Sequence, residues 1–154
     1  MKIVLQRVKK AKVLIDNQVN GEIEKGYLLL LGIGKNDNEE NAVQMIEKIK
    51  KLRLFEDENG KTNLSLEQVN GKVLVVSQFT LYADCRKGTR PSFADAAPPD
   101  IAEKLYNFFL SQCETYFGDV QHGEFGADMQ IELINDGPFT IYLENENKSV
   151  KEIL

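Results

Sequence analysis

One histidine, two cysteines and no long apolar run are all that this 154-residue chain contains of three chemically telling features, and each scarcity excludes something. A lone His122 rules out multi-histidine metal centres and leaves a single candidate base for a nucleophile–histidine–carboxylate arrangement. Cys85 and Cys113 lie far apart with no CxxC spacing, which argues against a disulfide framework or a cysteine zinc site. Cys113 falls on an apolar helical stripe and reads as a small buried hydrophobe. The longest apolar run, Tyr27 to Gly34, is far short of the roughly 18 residues a membrane span needs, and reads as a buried strand. Met1-Lys2-Ile3-Val4 enters alternating structure without an apolar leader, so the cytoplasm is the expected compartment and no membrane partner is expected.

The net charge of −5 argues against nucleic acid at first sight. Its distribution qualifies that. Residues 1–91 carry 16 basic and 12 acidic groups, whereas 92–154 carry 3 and 12. Arg7, Lys9, Lys10 and Lys12 form one basic run, and Arg86, Lys87 and Arg90 another. Either run can contact phosphate locally, or can equally be a solvated edge and loop.

Ile3 to Ile15 reads as a long strand with a slip at Lys9-Lys10. The turn chemistry of Asp16-Asn17 to Gly21 predicts a hairpin into a strand over Ile23–Ile33. Ala42, Met45, Ile46, Ile49 and Leu52 have helical spacing, so Asn38 to Leu52 is expected to be a helix capped by Asn38. Asn41 stands where a capping box carries Glu or Gln, so that box is expected to be incomplete. Leu52–Phe55 is strand-like, and Lys72 to Phe79 is the most β-rich segment, expected as a central strand. Tyr82 to Ala97 loses all periodicity and reads as a long surface loop of the kind that usually carries function. Pro98-Pro99-Asp100 opens a second helix with Ile101, Leu105, Phe108, Phe109 and Cys113 on its apolar side, closed by Gly118. Strands over Val120–Phe125, Met129–Ile134 and Phe139–Leu143 complete the chain. The fold class is α/β: a single domain over 1–145 with a mixed β-sheet and two main helices, followed by a polar C-terminal tail, 146–154.

Chemistry is harder to find. His122 sits on a strand between Gln121 and Gly123, where a structural role is the commoner one. The carboxylates gather in turns and on helix surfaces rather than in pairs. Gly32-Ile33-Gly34-Lys35 follows a buried strand but lacks the full phosphate-loop pattern, and reads as a strand ending in a turn. What remains is Val75-Val76-Ser77-Gln78-Phe79-Thr80-Leu81, where polar groups interrupt an apolar strand. Such a cluster is either a sheet-edge hydrogen-bond network or a site. Where a strand frays, consecutive N–H groups lose their ladder partners and can face a developing oxyanion. Asn135-Asp136-Gly137-Pro138 reads as an ordinary hairpin turn, although a proline after glycine can take the cis form at modest cost.

Taken together, these segments resemble the D-aminoacyl-tRNA deacylase family. The likeness runs through Leu5-Gln6-Arg7-Val8, Lys51-Leu52-Arg53-Leu54-Phe55, Gly60-Lys61-Thr62-Asn63, and Ser77 to Asp84 with the family's SQxxL motif. It continues in Lys87 to Phe93, Phe125 to Met129, and Asn135 to Thr140 with the NxGPxT motif. Phe139 stands where the family commonly has valine. The resemblance implies a homodimer that hydrolyses the ester of D-aminoacyl-tRNA, and glycyl-tRNA mischarged on tRNA-Ala, without metal or cofactor. It implies a catalytic segment Ser77, Gln78, Phe79 and Thr80, and a cis Gly137-Pro138 reaching into the partner subunit's site to hold the substrate amino group. Arg7 would fix that motif's geometry, and Phe125 and Met129 would line the pocket of the 3′-terminal adenine.

Two chemical steps are open: attack by the Thr80 hydroxyl, or oxyanion stabilisation by the amides of Phe79 and Thr80 with water oriented by the tRNA 2′-OH. The second explains the missing catalytic side chains. A non-catalytic RNA- or nucleotide-binding module and a generic esterase are the competing readings.

Overall fold

The computed structural model describes residues 1–146, so the expected tail lies, apart from its first residue, outside the described residues. Strand β1 (Lys2–Ile15) turns through Asp16-Asn17, both in the left-handed region (φ 50° and 64°), into β2 (Gln18–Ile23) and β3 (Gly26–Gly32). Short polar side chains tolerate that conformation, and a two-residue turn of this hand matches the twist of the strands it joins.

The single strand expected over Ile23–Ile33 is interrupted. β2 and β3 continue along the same edge of β1, with Ala11 opposite Ile23 and Val8 opposite Gly26. The break at Glu24-Lys25 therefore faces Lys9-Lys10, where the expected slip also appears in the pairing of β1 with β8 (Gln130–Glu144). Lys9 and Lys10 both turn to solvent, so Val8 and Ala11, three residues apart, bury toward one core. The sheet bends there. Beyond the bend β2 folds toward β7 (Val120–His122), and the Asn20 amide donates to the His122 carbonyl at 2.8 Å.

Helix α1 (Glu39–Lys51) begins at Asn38. Contrary to expectation its capping box is complete: Asn38 Oδ1 accepts from the Asn41 amide at 3.0 Å, and Asn41 Oδ1 accepts from the Asn38 amide at 3.1 Å. A carboxamide carries the same acceptor oxygen as Gln on a shorter arm, and here the arm suffices. β4 (Arg53–Glu56) and β5 (Thr62–Ser65) form a separate small hairpin. β6 (Lys72–Ser77) stops two residues short of its expected end, and the chain passes through a 3₁₀ turn, Phe79–Tyr82, into the long loop.

Helix α2 (Pro99–Phe117) is closed by Gly118 at φ 82°. Its buried stripe is Ala102, Leu105, Tyr106, Phe109 and Cys113. Ile101, expected on that face, is 52% exposed. It sits one position, about 100° of rotation, before the start of the i, i+3, i+4, i+7 stripe. β7 ends at His122 rather than Phe125, and the two strands expected at 129–134 and 139–143 are one continuous strand, β8.

The sheet runs β2-β1-β3-β6-β7, with β8 on the other edge of β1. β3, β6 and β7 are mutually parallel, and β1 is antiparallel to its neighbours. One face packs Ile3, Leu5, Tyr27, Leu29, Val73 and Val75 against both helices. The other encloses a smaller core of Val8, Ala11, Val13, Ile23, Leu28, Leu74 and Val76. Strict alternation along β3 and β6 assigns neighbouring residues to opposite cores, as a strand buried on both faces requires. No helix among the described residues is long and apolar enough to cross a membrane.

Candidate active site

Parallel strands leave their C-terminal ends on one side of a sheet, and ligands in α/β folds gather outside those ends. Here Leu31 of β3 lies level with Ser77 of β6, and His122 of β7 level with Val75. Gln78 still donates its amide to the Leu31 carbonyl at 2.7 Å, the last rung before the strand dissolves. The 3₁₀ turn follows, with the Leu81 amide bonded to the Gln78 carbonyl (3.2 Å) and Ala83 to Thr80 (3.0 Å). The first two amides of the turn, on Phe79 and Thr80, have no acceptor among the described residues. Both residues lie at the surface, Phe79 at 59% exposure with its ring edge-on to Phe93 at 5.0 Å.

Side-chain chemistry at this turn is sparse. Gln78 Nε2 donates to Thr80 Oγ1, which positions the hydroxyl without deprotonating it. Neither Ser77 nor Thr80 is hydrogen-bonded to a histidine or a carboxylate among the described residues. His122 Nδ1 is 2.7 Å from the Gly123 carbonyl. A hydroxyl without a base is a weak nucleophile at neutral pH, whereas two unpaired amides side by side are an anion-binding pair. No group of three or more His, Cys, Asp or Glu side chains among the described residues is placed to hold a metal. Cys113 is sealed in the core, and burial pushes its thiol well above the ordinary range.

The second motif is not a hairpin. β8 pairs with β1 on both sides of it: Gln6 faces Thr140, and Val8 faces Asn135. Only Arg7 separates Gln6 from Val8, so Asp136 to Phe139 leave the ladder as an excursion opposite Arg7. Asn135 closes its base, donating to the Phe139 carbonyl at 3.2 Å and accepting from the Phe139 amide at 2.6 Å. Arg7 holds it from behind at 6% exposure. Its Nε donates to the Asp136 carbonyl (3.1 Å), its Nη1 to the Leu54 carbonyl (2.6 Å), and its guanidinium lies 4.6 Å from the centre of the Phe139 ring. The Gly137-Pro138 peptide bond is cis. Phe139 packs toward the first core and stacks with the guanidinium, a contact its aromatic face provides and valine lacks.

Within one chain the two motifs are far apart. Ser77 is level with Leu31 and hence Ile3, while the excursion lies opposite Arg7. Four residues of strand span ~13 Å, and the three spacings from β6 to β8 add ~14 Å across. Phe125 and Met129 bracket the loop that leaves β7 at the same sheet end as Ser77. Phe125 tilts against Tyr106 at 5.7 Å beside the first core, and Met129 packs against the second. The structure thus brings Arg7 to the excursion that carries Gly137 and Pro138, and places Ser77 to Thr80 and the Phe125–Met129 loop after the C-terminal ends of the neighbouring parallel strands β6 and β7. Sequence reasoning missed Leu54, whose contribution is a backbone carbonyl and so leaves no trace in residue type. An open groove of about 220 Å³ between Lys10, Lys12, Glu22 and Glu132 contains none of these residues.

Comparison with known proteins identifies the class. The family model described as D-Tyr-tRNA(Tyr) deacylase matches residues 4–144. The chain is 56% identical to a D-aminoacyl-tRNA deacylase of Thermosipho africanus, over 95% of this chain and 98% of that one. It is 51% identical to one of Fusobacterium nucleatum, over 98% and 100%. The solved structure of a c-Myc DNA Unwinding Element Binding Protein superposes with a TM-score of 0.89 at 42% identity, covering 96% of this chain and all of that one. A probable eukaryotic D-amino acid tRNA deacylase superposes at 0.82 and 16% identity, a likeness of fold alone. Fold and family place the protein among the ester hydrolases that act on charged tRNA. It belongs to the D-aminoacyl-tRNA deacylase family.

Proposed function

We propose that this deacylase works through the backbone of the 3₁₀ turn, on a substrate oriented by a second copy of the chain. The observation that carries the reading is the pair of unpaired amides on the surface residues Phe79 and Thr80, outside the ends of three parallel strands. Attack of water on the ester carbonyl generates a tetrahedral intermediate whose oxyanion these amides accept, while the 2′-OH of the terminal adenosine orients the water. The carbonyls of Gly137 and Pro138 from the partner subunit receive the substrate ammonium and leave no room for an L side chain. The separation of the two motifs within one chain supports assembly across a two-fold interface, where each subunit supplies the excursion to the other. Phe125 and Met129 flank the terminal adenine. Glycine has no side chain to exclude, so glycyl-tRNA mischarged on tRNA-Ala is a second substrate.

Lys87 and Arg90 are the loop's cations for phosphate. Arg86 is engaged by Asp84 at 2.7 Å, and its hydrogen bonds hold that carboxyl down to about 2.

Deacylation of D-Tyr-tRNA by Phe79→Pro and Phe79→Ala tests the amide. Proline fits the first position of a helical turn and removes only the N–H, while alanine controls for the lost ring. Phe79→Pro is expected to fall about a hundredfold below Phe79→Ala; equal rates would remove the amide from the mechanism. Thr80→Ala is expected to stay within about tenfold of the parent, since loss of a nucleophile costs far more. The named DNA binding of the 42%-identical protein favours a second reading, a nucleic-acid-binding module. That reading predicts no turnover of either D- or L-Tyr-tRNA.

A further inference from the structure

We infer that Gly32, Gly34, Asp37 and Tyr82 form a brace that holds the Phe79 and Thr80 amides in position, making Tyr82 a positioning residue for the reaction. The inference rests on the reading of the 3₁₀ turn given above. An oxyanion site gains its effect from donors that do not reorganise during the reaction, so something must keep a four-residue turn rigid. One end is held by the Gln78 amide on Leu31. The other end is held by contacts from the segment that follows β3 and from the N-terminus.

The turn lies flat on the segment that follows β3. A Cβ at Gly32 would sit 3.0 Å from Leu81 Cβ and 3.2 Å from the Gln78 carbonyl oxygen. A Cβ at Gly34 would sit 2.6 Å from the Tyr82 hydroxyl oxygen and 2.7 Å from its Cζ. Close approach of the Tyr82 ring thus requires glycine at 34 and makes position 32 tight, which gives this Gly-x-Gly a packing reason. The Tyr82 hydroxyl donates to Asp37 Oδ2 at 3.4 Å. Asp37 is itself immobile: its side chain is 4% exposed, Oδ2 accepts from the Gly34 amide at 2.7 Å, and Oδ1 pairs with the Met1 ammonium at 2.7 Å. Lys2 completes the clasp, its Nζ 3.5 Å from the Leu81 carbonyl and 4.5 Å from the centre of the Tyr82 ring. Burial, then the Asp37 charge, push the Tyr82 hydroxyl above its ordinary range, so it remains a donor.

The test is a steady-state and stability comparison of Tyr82→Phe, Gly34→Ala, Tyr82→Leu and the Gly34→Ala/Tyr82→Leu double variant on D-Tyr-tRNA. Tyr82→Phe removes one oxygen and keeps the ring. It is expected to lower kcat about tenfold with KM within about twofold, because ground-state binding of tRNA is untouched. Gly34→Ala is expected to lower kcat about a hundredfold, the consequence of an ångström-scale displacement. Acting through the same ring, it should add nothing in the Tyr82→Leu background. A Tyr82→Phe kcat within twofold of the parent, a loss carried by KM, or additive losses in the double variant would each overturn the brace. Urea midpoints exclude global unfolding as the cause for Tyr82→Phe; a kcat loss that tracks a collapsed midpoint also overturns it. Phe79→Pro separates the two claims. If it matches Phe79→Ala, the amide reading fails and the brace loses its purpose. If it is impaired while Tyr82→Phe is not, the brace alone fails.

Discussion

Arg7 shows how one buried charge organises a surface motif. Its guanidinium is nearly sealed from water, a costly state unless its donors are used. Two of them are spent on the carbonyls of Asp136 and Leu54, and the Asp136 carboxylate lies 3.5 Å from Nε. Gly137 sits against this cluster at φ 136°, where an added Cβ would meet the Phe139 amide nitrogen at 3.0 Å and Arg7 Nη2 at 3.3 Å. Gly137→Ala therefore has two costs, a left-handed backbone with a side chain and a displaced guanidinium. The expected outcome is a fall of about tenfold or more in the ratio of D- to L-Tyr-tRNA deacylation, from a misplacement of well under an ångström. Paired assays on both enantiomers measure it, and an unchanged ratio would rule out exclusion by this motif.

The elements repeat the lesson that short polar groups work where strands and helices end. Helix α1 starts on a reciprocal pair of asparagines, and Asn41 is buried as part of it. Asn38→Ala leaves the Asn41 backbone amide without its acceptor, while the backbone amide at position 38 still donates to Asn41 Oδ1. A loss of about 1 kcal/mol is expected, or about 3 °C in Tm for a domain of this size. Urea or thermal unfolding followed by circular dichroism is the check. The same substitution should leave kcat unchanged once the protein is folded, since α1 lies on the helix-covered face and contributes no group to the turn.

Helices, the central strand and the β1 irregularity follow from periodicity, because burial of one face imposes it on the residue pattern. The end of β6 does not. Val75 to Phe79 remains β-favourable in composition, and the strand stops at Ser77, where its pairing with β3 ends at Leu31. Likewise Asn135 to Pro138 carries the residues of a hairpin turn, but β1 runs past both of its ends. A turn residue specifies that the chain leaves its line; which strand receives it afterwards depends on the partner.

At the scale of the whole molecule, the proposed mechanism needs both motifs at one substrate, and their separation within one chain predicts that a partner completes the site. Sedimentation of the 17.4 kDa chain is expected to give about twice that mass at assay concentrations, as a two-fold assembly requires. A monomer with full activity and intact chiral selectivity would end the proposal that the partner completes the site. Charge polarity fits the same picture. The basic residues near the turn belong to the N-terminal part of the chain and the acidic excess to the C-terminal part, which is the local basic charge the proposed tRNA substrate needs on a chain that is acidic as a whole.

By itself the sequence determined the α/β class, the two amphipathic helices, the polar interruption at Ser77 to Thr80 and the family to which the motifs belong. These depend on residue type and spacing along the chain, which local physics reads directly. Only the tertiary structure decided that Asn135 to Pro138 is an excursion held by Arg7, that the amides of Phe79 and Thr80 are left unpaired, and that Gly32 and Gly34 make room for Tyr82. Those facts depend on which backbone groups meet across the sheet. A carbonyl, an amide or the absence of a Cβ acquires its meaning from the neighbour it faces.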